Sequence, residues 1–155
     1  MISEYAIRLA SAADAAAIAG MSREHIERGL GWRWREPRVL GSIRDRATNV
    51  AVAEHHARLS GFGIMKYSDD TAHLLLLAVD TAHRRKGLGA AILRWLEAVA
   101  HTAGVEKVLV EARAGNHDAL AFYRHQGYRP AARIDGYYQG VEDGVRLVKR
   151  LLLEP

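Results

Sequence analysis

The sequence predicts an α/β fold in which a mixed sheet carries helices on its faces, on three observations. Strand-like stretches come in adjacent pairs early and late in the chain, as hairpins do. The near-continuous apolar run from Thr71 to Val79 has the pattern of a central strand covered on both faces. Stretches of helical spacing separate the strands. The clearest, Gly87 to about Ala103, repeats apolar residues at Leu88, Ile92, Trp95 and Val99.

The elements follow in order. Tyr5 to Leu9 is a short strand. Ala12 to about Arg28 is a helix, with Asp14 near its start complementing the positive end of the helix dipole. A loop holding Gly29, Gly31, Trp32 and Trp34 leads to a second helix, which begins at Pro37 and runs to about Arg46. Asn49 to Glu54 and Arg58 to Lys66 form a hairpin about a His55-His56 turn, and Ser68-Asp69-Asp70 turns the chain into the central strand. Gly104 caps the Gly87 helix, Val105 to Ala112 is a strand, and His117 to Gln126 is a helix closed by Gly127. Two last strands, Tyr128 to Tyr137 and Gly144 to Leu153, turn near Gly140.

Composition narrows the function. A chain of 155 residues with 49% hydrophobic and 26% charged residues is expected to form one domain, residues 1–155, with a full core. Without cysteine there is no disulfide, zinc-thiolate site or cysteine nucleophile. No His-Glu-x-x-His pattern occurs, so no metal is expected, and no Gly-x-Ser-x-Gly elbow of a serine hydrolase. The net charge of +4 suits an anionic ligand but is too small to indicate nucleic acid. The longest apolar run, Leu74 to Val79, falls far short of the ~20 residues of a membrane span. With no basic segment and apolar stretch at the N-terminus, a cytoplasmic protein without membrane attachment is expected.

The chemistry begins at Arg84-Arg85-Lys86-Gly87-Leu88-Gly89-Ala90, between the buried strand and the amphipathic helix. A helix N-terminus offers unpaired N–H groups and partial positive charge, glycines let a phosphate approach, and three cations precede them. The spacing excludes a P-loop, because Ala90 and Ala91 follow Gly89 where Lys-Ser/Thr is needed. It also excludes the dinucleotide fingerprint, which requires a small residue where Ile92 stands.

Arg84-x-x-Gly87-x-Gly89 resembles the coenzyme A pyrophosphate signature of the GNAT N-acetyltransferases. A second block is similar to the same family without a gap: Glu111-Ala112-Arg113-Ala114-Gly115-Asn116, then Ala119, Phe122-Tyr123 and Gly127-Tyr128. The likeness covers Leu74 to Tyr138, and the N-terminal part more weakly. It is nearest to bacterial ribosomal-protein N-terminal alanine acetyltransferases, through Glu111, Asn116, Tyr123 and the Tyr137-Tyr138 pair. The resemblance implies a GNAT-like, mostly antiparallel central sheet of about six or seven strands with about four helices. It implies acetyl-CoA as co-substrate and a primary amine as acceptor, with a protein or peptide N-terminus foremost.

Carried over residue by residue, main-chain groups of Leu77, Ala78 and Val79 would hold the pantetheine arm and the acetyl carbonyl. N–H groups from Arg85 to Ala90 would bind the pyrophosphate, and Asn116 the pantetheine. Tyr123 would lie near the sulfur as proton donor, and Glu111 near the amine as base, directly or through water. Each has a plainer reading: Tyr123 as a packed core aromatic, Glu111 as a carboxylate paired with Arg113, and Asn116 as a helix N-cap. Trp32 and Trp34 stand where the family places one wall of the acceptor pocket, and Tyr137 and Tyr138 where relatives contact a peptide. Loop packing and hairpin packing are the alternatives.

A small-molecule acceptor stays open, with Glu24, Glu27, Glu36, Asp69 and Asp70 as faint candidates for a polycation site. So does a non-catalytic acetyl-CoA-binding module. A C-terminal strand ending in Leu151-Leu152-Leu153 would suit a homodimer.

Overall fold

The structure, a computed structural model, describes residues 4–151. Seven strands form one sheet: β1 (Ala6–Leu9), β2 (Thr48–His55), β3 (Arg58–Tyr67), β4 (Thr71–Val79), β5 (Lys107–Arg113), β6 (Arg129–Tyr138) and β7 (Glu142–Arg150). Four helices accompany them: α1 (Ala15–His25), α2 (Glu36–Arg44), α3 (Leu88–Thr102) and α4 (His117–His125). The spatial order is β1-β2-β3-β4-β5-β7-β6, and every neighbouring pair is antiparallel except β4 with β5. No described helix is long and apolar enough to cross a membrane.

The helix once expected from Ala12 is a turn of 3-10 helix, Ala12–Asp14, followed by α1. Asp14 accepts from the Ser11 N–H at 2.8 Å and pairs with Arg8 at 2.8 Å, fixing the start of α1 to β1. In α2, Pro37 stands in the first turn, where its missing N–H costs nothing. The β2–β3 turn lies one residue later than expected. His55 pairs with Arg58, and the corner residues are His56 and Ala57, both left-handed. Two positive φ values in a two-residue loop match the twist of the flanking strands.

A core lies on each face of the sheet. One contains Leu88, Ile92, Leu93, Leu96 and Ala100 of α3 against Met65, Leu74, Val108 and Val110. The other packs Ile18 and Ala19 of α1 and Val39 of α2 against Val50, Val52, Phe62 and Ile64. The buried face of α3 is thus rotated from the one its spacing suggested. Trp95 only borders the core and Val99 is exposed, while Leu93, Leu96 and Ala100 replace them inside. Gly61 and Gly63 on β3 allow α3 to approach, since a Cβ on Gly63 would sit 2.8 Å from Leu96 Cδ1 and one on Gly61 2.9 Å from Ile92 Cδ1. Glu97 also lies on this buried face. It accepts from the Tyr128 hydroxyl at 2.6 Å and from Lys149 Nζ at 3.0 Å, as a buried carboxylate requires.

β7 is inserted between β5 and β6, so it is interior, and the edges of the described sheet are β1 and β6. Edge pairing of two copies through the last strand is therefore not available. Leu152 and Leu153, expected to contribute to a dimer, lie outside the described residues.

Candidate active site

The site grows out of a defect in the sheet. Met65 pairs with Leu74 and Ile64 with Leu76, so Leu75 is an extra residue, a β-bulge. The bulge swaps the faces of the side chains that follow: Leu74 joins the α3 core and Leu76 the α1 core. The parallel pairing of β4 with β5 ends at Leu74 and Val110. Beyond it β4 stays with β3, and β5 stays with β7.

The strands part and a cavity of about 350 Å³ opens between them. Leu74 to Leu77 line one side and Val110 to Arg113 the other, with Asn116, Ala119 and Tyr123 beneath and Tyr137 and Tyr138 above. The facing strand edges carry main-chain groups that no neighbouring strand satisfies, and backbone groups require partners. An arm bearing amides, as pantetheine does, fits such a slot. Of the three strand residues expected to hold it, Leu77 lines the cavity. Ala78 and Val79 continue the strand, paired with Phe62 and Gly61, and the Val79 carbonyl accepts from Arg84 Nε at 3.1 Å.

Past β4, the chain makes a short 3-10 turn, Thr81–His83, and enters the glycine segment. Gly87 is the N-cap of α3 at φ +77°, a left-handed conformation natural to glycine, and Arg85 is also left-handed. Leu88, Gly89 and Ala90 follow as the first helical residues, so their N–H groups lack helical acceptors. The cations divide. Arg84, though exposed, is tied to the protein, its second guanidinium nitrogen 3.3 Å from His25 Nδ1. Arg85 and Lys86 are exposed and form no ion pair with any described residue. An open hollow beside them, lined by Lys86, Gly87, Ala91, Arg94 and Trp95, adds a further cation and an aromatic face. This donor set suits a polyphosphate.

Tyr123, on α4, is 7% exposed, its ring set edge-on to Phe122 and Tyr128. Its hydroxyl bonds to no described residue, yet the side chain lines the cavity. Burial pushes this phenol well above its ordinary range, so it stays protonated at neutral pH. Asn116 caps α4, its Oδ1 accepting from the Ala119 N–H at 3.1 Å, and also faces the cavity.

Glu111 is where four elements meet. Its side chain is 5% exposed. Oε1 lies 2.5 Å from His73 Nε2 on β4 and accepts from the Tyr137 hydroxyl at 3.0 Å, while Oε2 accepts from Arg146 Nε at 2.8 Å. Burial would raise this carboxyl, but the hydrogen bonds from His73 and Arg146 prevail and hold it below the usual carboxylate range. Burial and the neighbouring Glu111 push Tyr137 up to about 12. The partner expected from sequence, Arg113, instead bonds Glu142 at 2.8 Å and the Arg28 carbonyl at 2.8 Å.

At the mouth of the cavity, the two tryptophans separate. Trp34 lines it, with the Arg38 guanidinium 3.9 Å above its ring. Trp32 lies outside the lining, donating to the Ala19 carbonyl at 3.2 Å under Arg23 and Arg35, so it packs the loop onto α1. Glu27 shapes this loop: buried, it accepts from the Arg33 N–H at 2.7 Å, the Trp34 N–H at 3.1 Å and the Ser22 hydroxyl at 2.9 Å. The Gln139 side chain accepts from the Gly31 N–H at 3.0 Å and donates to its carbonyl at 2.9 Å, joining the loop to the β6–β7 hairpin. The suspected acidic cluster does not converge. Glu24, Glu36, Asp69 and Asp70 are exposed, and Glu27 is committed to its loop.

Residues 16–128 match the sequence model of the Acetyltransferase (GNAT) family. The chain belongs to that family. The family uses acetyl-CoA, and this protein is an acetyl-CoA-dependent N-acetyltransferase. The chain is similar to the [ribosomal protein bS18]-alanine N-acetyltransferase of Salmonella typhimurium, 32% identical over 122 residues, 77% of this chain and 82% of that protein. Two solved structures share the fold. That of Ard1 from Thermoplasma volcanium superposes with a TM-score of 0.87 at 22% identity, covering 97% of this chain and 99% of the other. The ribosomal-protein alanine N-acetyltransferase from Escherichia coli gives 0.84 at 24% identity, covering 97% and 96%.

The cavity collects Leu77, Glu111, Asn116, Tyr123, Trp34, Tyr137 and Tyr138 from the residues singled out by sequence. It also collects His73 and Gln139, which sequence reading missed, and Glu27, which had stood only as a faint candidate for a polycation site. Of these, Glu27 carried a usable signal: an acid just after a helix and before a run of loop N–H groups.

Proposed function

We propose that this acetyltransferase acetylates the α-amine of a protein or peptide N-terminus. The observation that carries the reading is the acceptor mouth. It lies between Trp34 and the Tyr137-Tyr138 hairpin, which Gln139 ties together, and the two acids in its lining, Glu27 and Glu111, are already engaged by protein donors rather than left for a polycation. The relatives named as alanine N-acetyltransferases support it. The chemistry agrees. An α-amine, with a pKa of about 7.7–8.0, is partly neutral at neutral pH, whereas a lysine amine, at about 10.4, is almost wholly protonated.

In this reading the amine nitrogen bonds to the acetyl carbon as the carbon–sulfur bond breaks. Tyr123 gives its proton to the leaving sulfur, and the proton shed as the nitrogen becomes an amide restores the phenol. N–H groups at the end of β4 face the developing oxyanion. Asn116 steadies the arm, and Glu111 anchors the acceptor side. A cytoplasmic location is part of the same proposal.

The test is thiol release from acetyl-CoA against N-terminal peptides, alanine-first among them, and small amines, with ribosomal protein bS18 as the first whole protein. Turnover confined to peptides is expected. Activity on small amines alone would overturn the reading.

A further inference from the structure

The proton that the amine must lose has no obvious acceptor in Glu111. Both of its oxygens are engaged by three donors, and those donors hold the carboxyl below its usual range. A carboxylate so stabilised is a poor base. The residue bonded to it differs. His73 also lines the cavity, with its side chain 32% exposed, on the strand edge where β4 parts from β5. With Nε2–H donated to Glu111, Nδ1 is left as an acceptor with no partner among the described residues. An imidazole fixed by a buried carboxylate is the arrangement that sets a tautomer and stabilises the imidazolium formed on proton uptake.

We propose that His73 Nδ1 takes the proton of the incoming amine, and that Glu111 is the fixed carboxylate behind it. The inference rests on amine transfer as described above and names the base of that step. The ammonium proton passes to Nδ1, leaving the nitrogen lone pair free to attack. The imidazolium, paired with Glu111, then releases the proton to water through the open mouth. Glu111 keeps its charge throughout. The groups around the ring fit this role. Arg146 of β7 and Tyr137 of β6 hold Glu111 in place. Lys66 stands opposite His73 on β3, and Arg38 and Tyr138 share its cavity.

Two measurements test it. The first is the pH dependence of kcat/KM for the amine in the native protein, His73→Asn, His73→Ala with added imidazole, and Glu111→Gln. His73→Asn is expected to lose about 100-fold, with KM for acetyl-CoA unchanged, and imidazole to restore part of the His73→Ala activity. Glu111→Gln, by removing the counter-charge, moves the acid limb to lower pH. A His73→Asn protein within threefold of native, with the same pH profile, would overturn the assignment and return the role to Glu111.

The second is an imidazole NMR titration of His73 in the native protein and in Glu111→Gln, which needs no acceptor. The His73 ring should take up its proton over the same pH interval as the acid limb of kcat/KM, and the two should move together in the variant. A ring whose signals do not change across the acid limb, and which therefore accepts no proton there, sinks the inference. A native protein silent on every N-terminal peptide sinks the acceptor reading instead, and the titration still decides His73.

Discussion

Tyr123 combines two things that rarely go together, a packed ring and a hydroxyl with no described protein partner. Because burial keeps the phenol protonated, Tyr123→Phe should lower kcat by about 100-fold or more while leaving the thermal midpoint nearly unchanged. Steady-state kinetics and a melting curve decide this together. Asn116 caps α4 and also lines the cavity. Asn116→Ala removes the α4 cap, costing about 1 kcal/mol, and should also raise KM for acetyl-CoA. Glu27→Ala leaves the N–H groups of Arg33 and Trp34 without their acceptor, a loss of about 1–3 kcal/mol, and loosens the wall holding Trp34. Urea denaturation reads the first effect, and a raised KM for the amine the second.

Among the elements, α3 on β3 is the tightest contact near the site. Gly63→Ala would drive a methyl to 2.8 Å from Leu96 Cδ1 and 3.2 Å from Ile92 Cγ2. Overpacking of this kind costs about 1–3 kcal/mol. Gly20, inside α1 with open space around it, gives the contrast, since Gly20→Ala should stabilise by about 0.5–1 kcal/mol. Paired denaturation curves should move in opposite directions. Element identity and order were legible throughout, because hydrophobic period and glycine and proline positions act locally. Boundaries slipped where a tertiary partner decides. Ala12–Asp14 became 3-10 helix under its Arg8 tie, and the buried face of α3 turned toward Leu93 and Leu96 because β3 offers glycines there.

Over the whole molecule, stability should fall at both ends of the pH scale. Glu111 and Asp14 titrate lower in the folded protein than in the unfolded chain. Their contribution is present above the ordinary carboxylate range and is lost as pH falls through and below it. Tyr123, Tyr128, Tyr137 and Tyr138 titrate higher when folded. Their contribution is present below about pH 10 and is lost as pH rises beyond it, because the unfolded chain ionises first. Urea midpoints from pH 3 to 11 should trace a plateau with both flanks falling, and Glu111→Gln should flatten the acid flank.

The sequence by itself determined the class of fold, the glycine turn that opens α3 at Gly87 and the placing of Asn116 and Tyr123 on one short helix beside the cavity, features written in local pattern along the chain. Only the tertiary structure decided what the acceptor side is made of. The Leu75 bulge opens the sheet, and His73, Arg146 and Tyr137 converge on Glu111 from three other strands. Gln139 reaches across 108 residues to Gly31. Contacts of that kind depend on register and on where strands part, and neither leaves a local pattern in the chain.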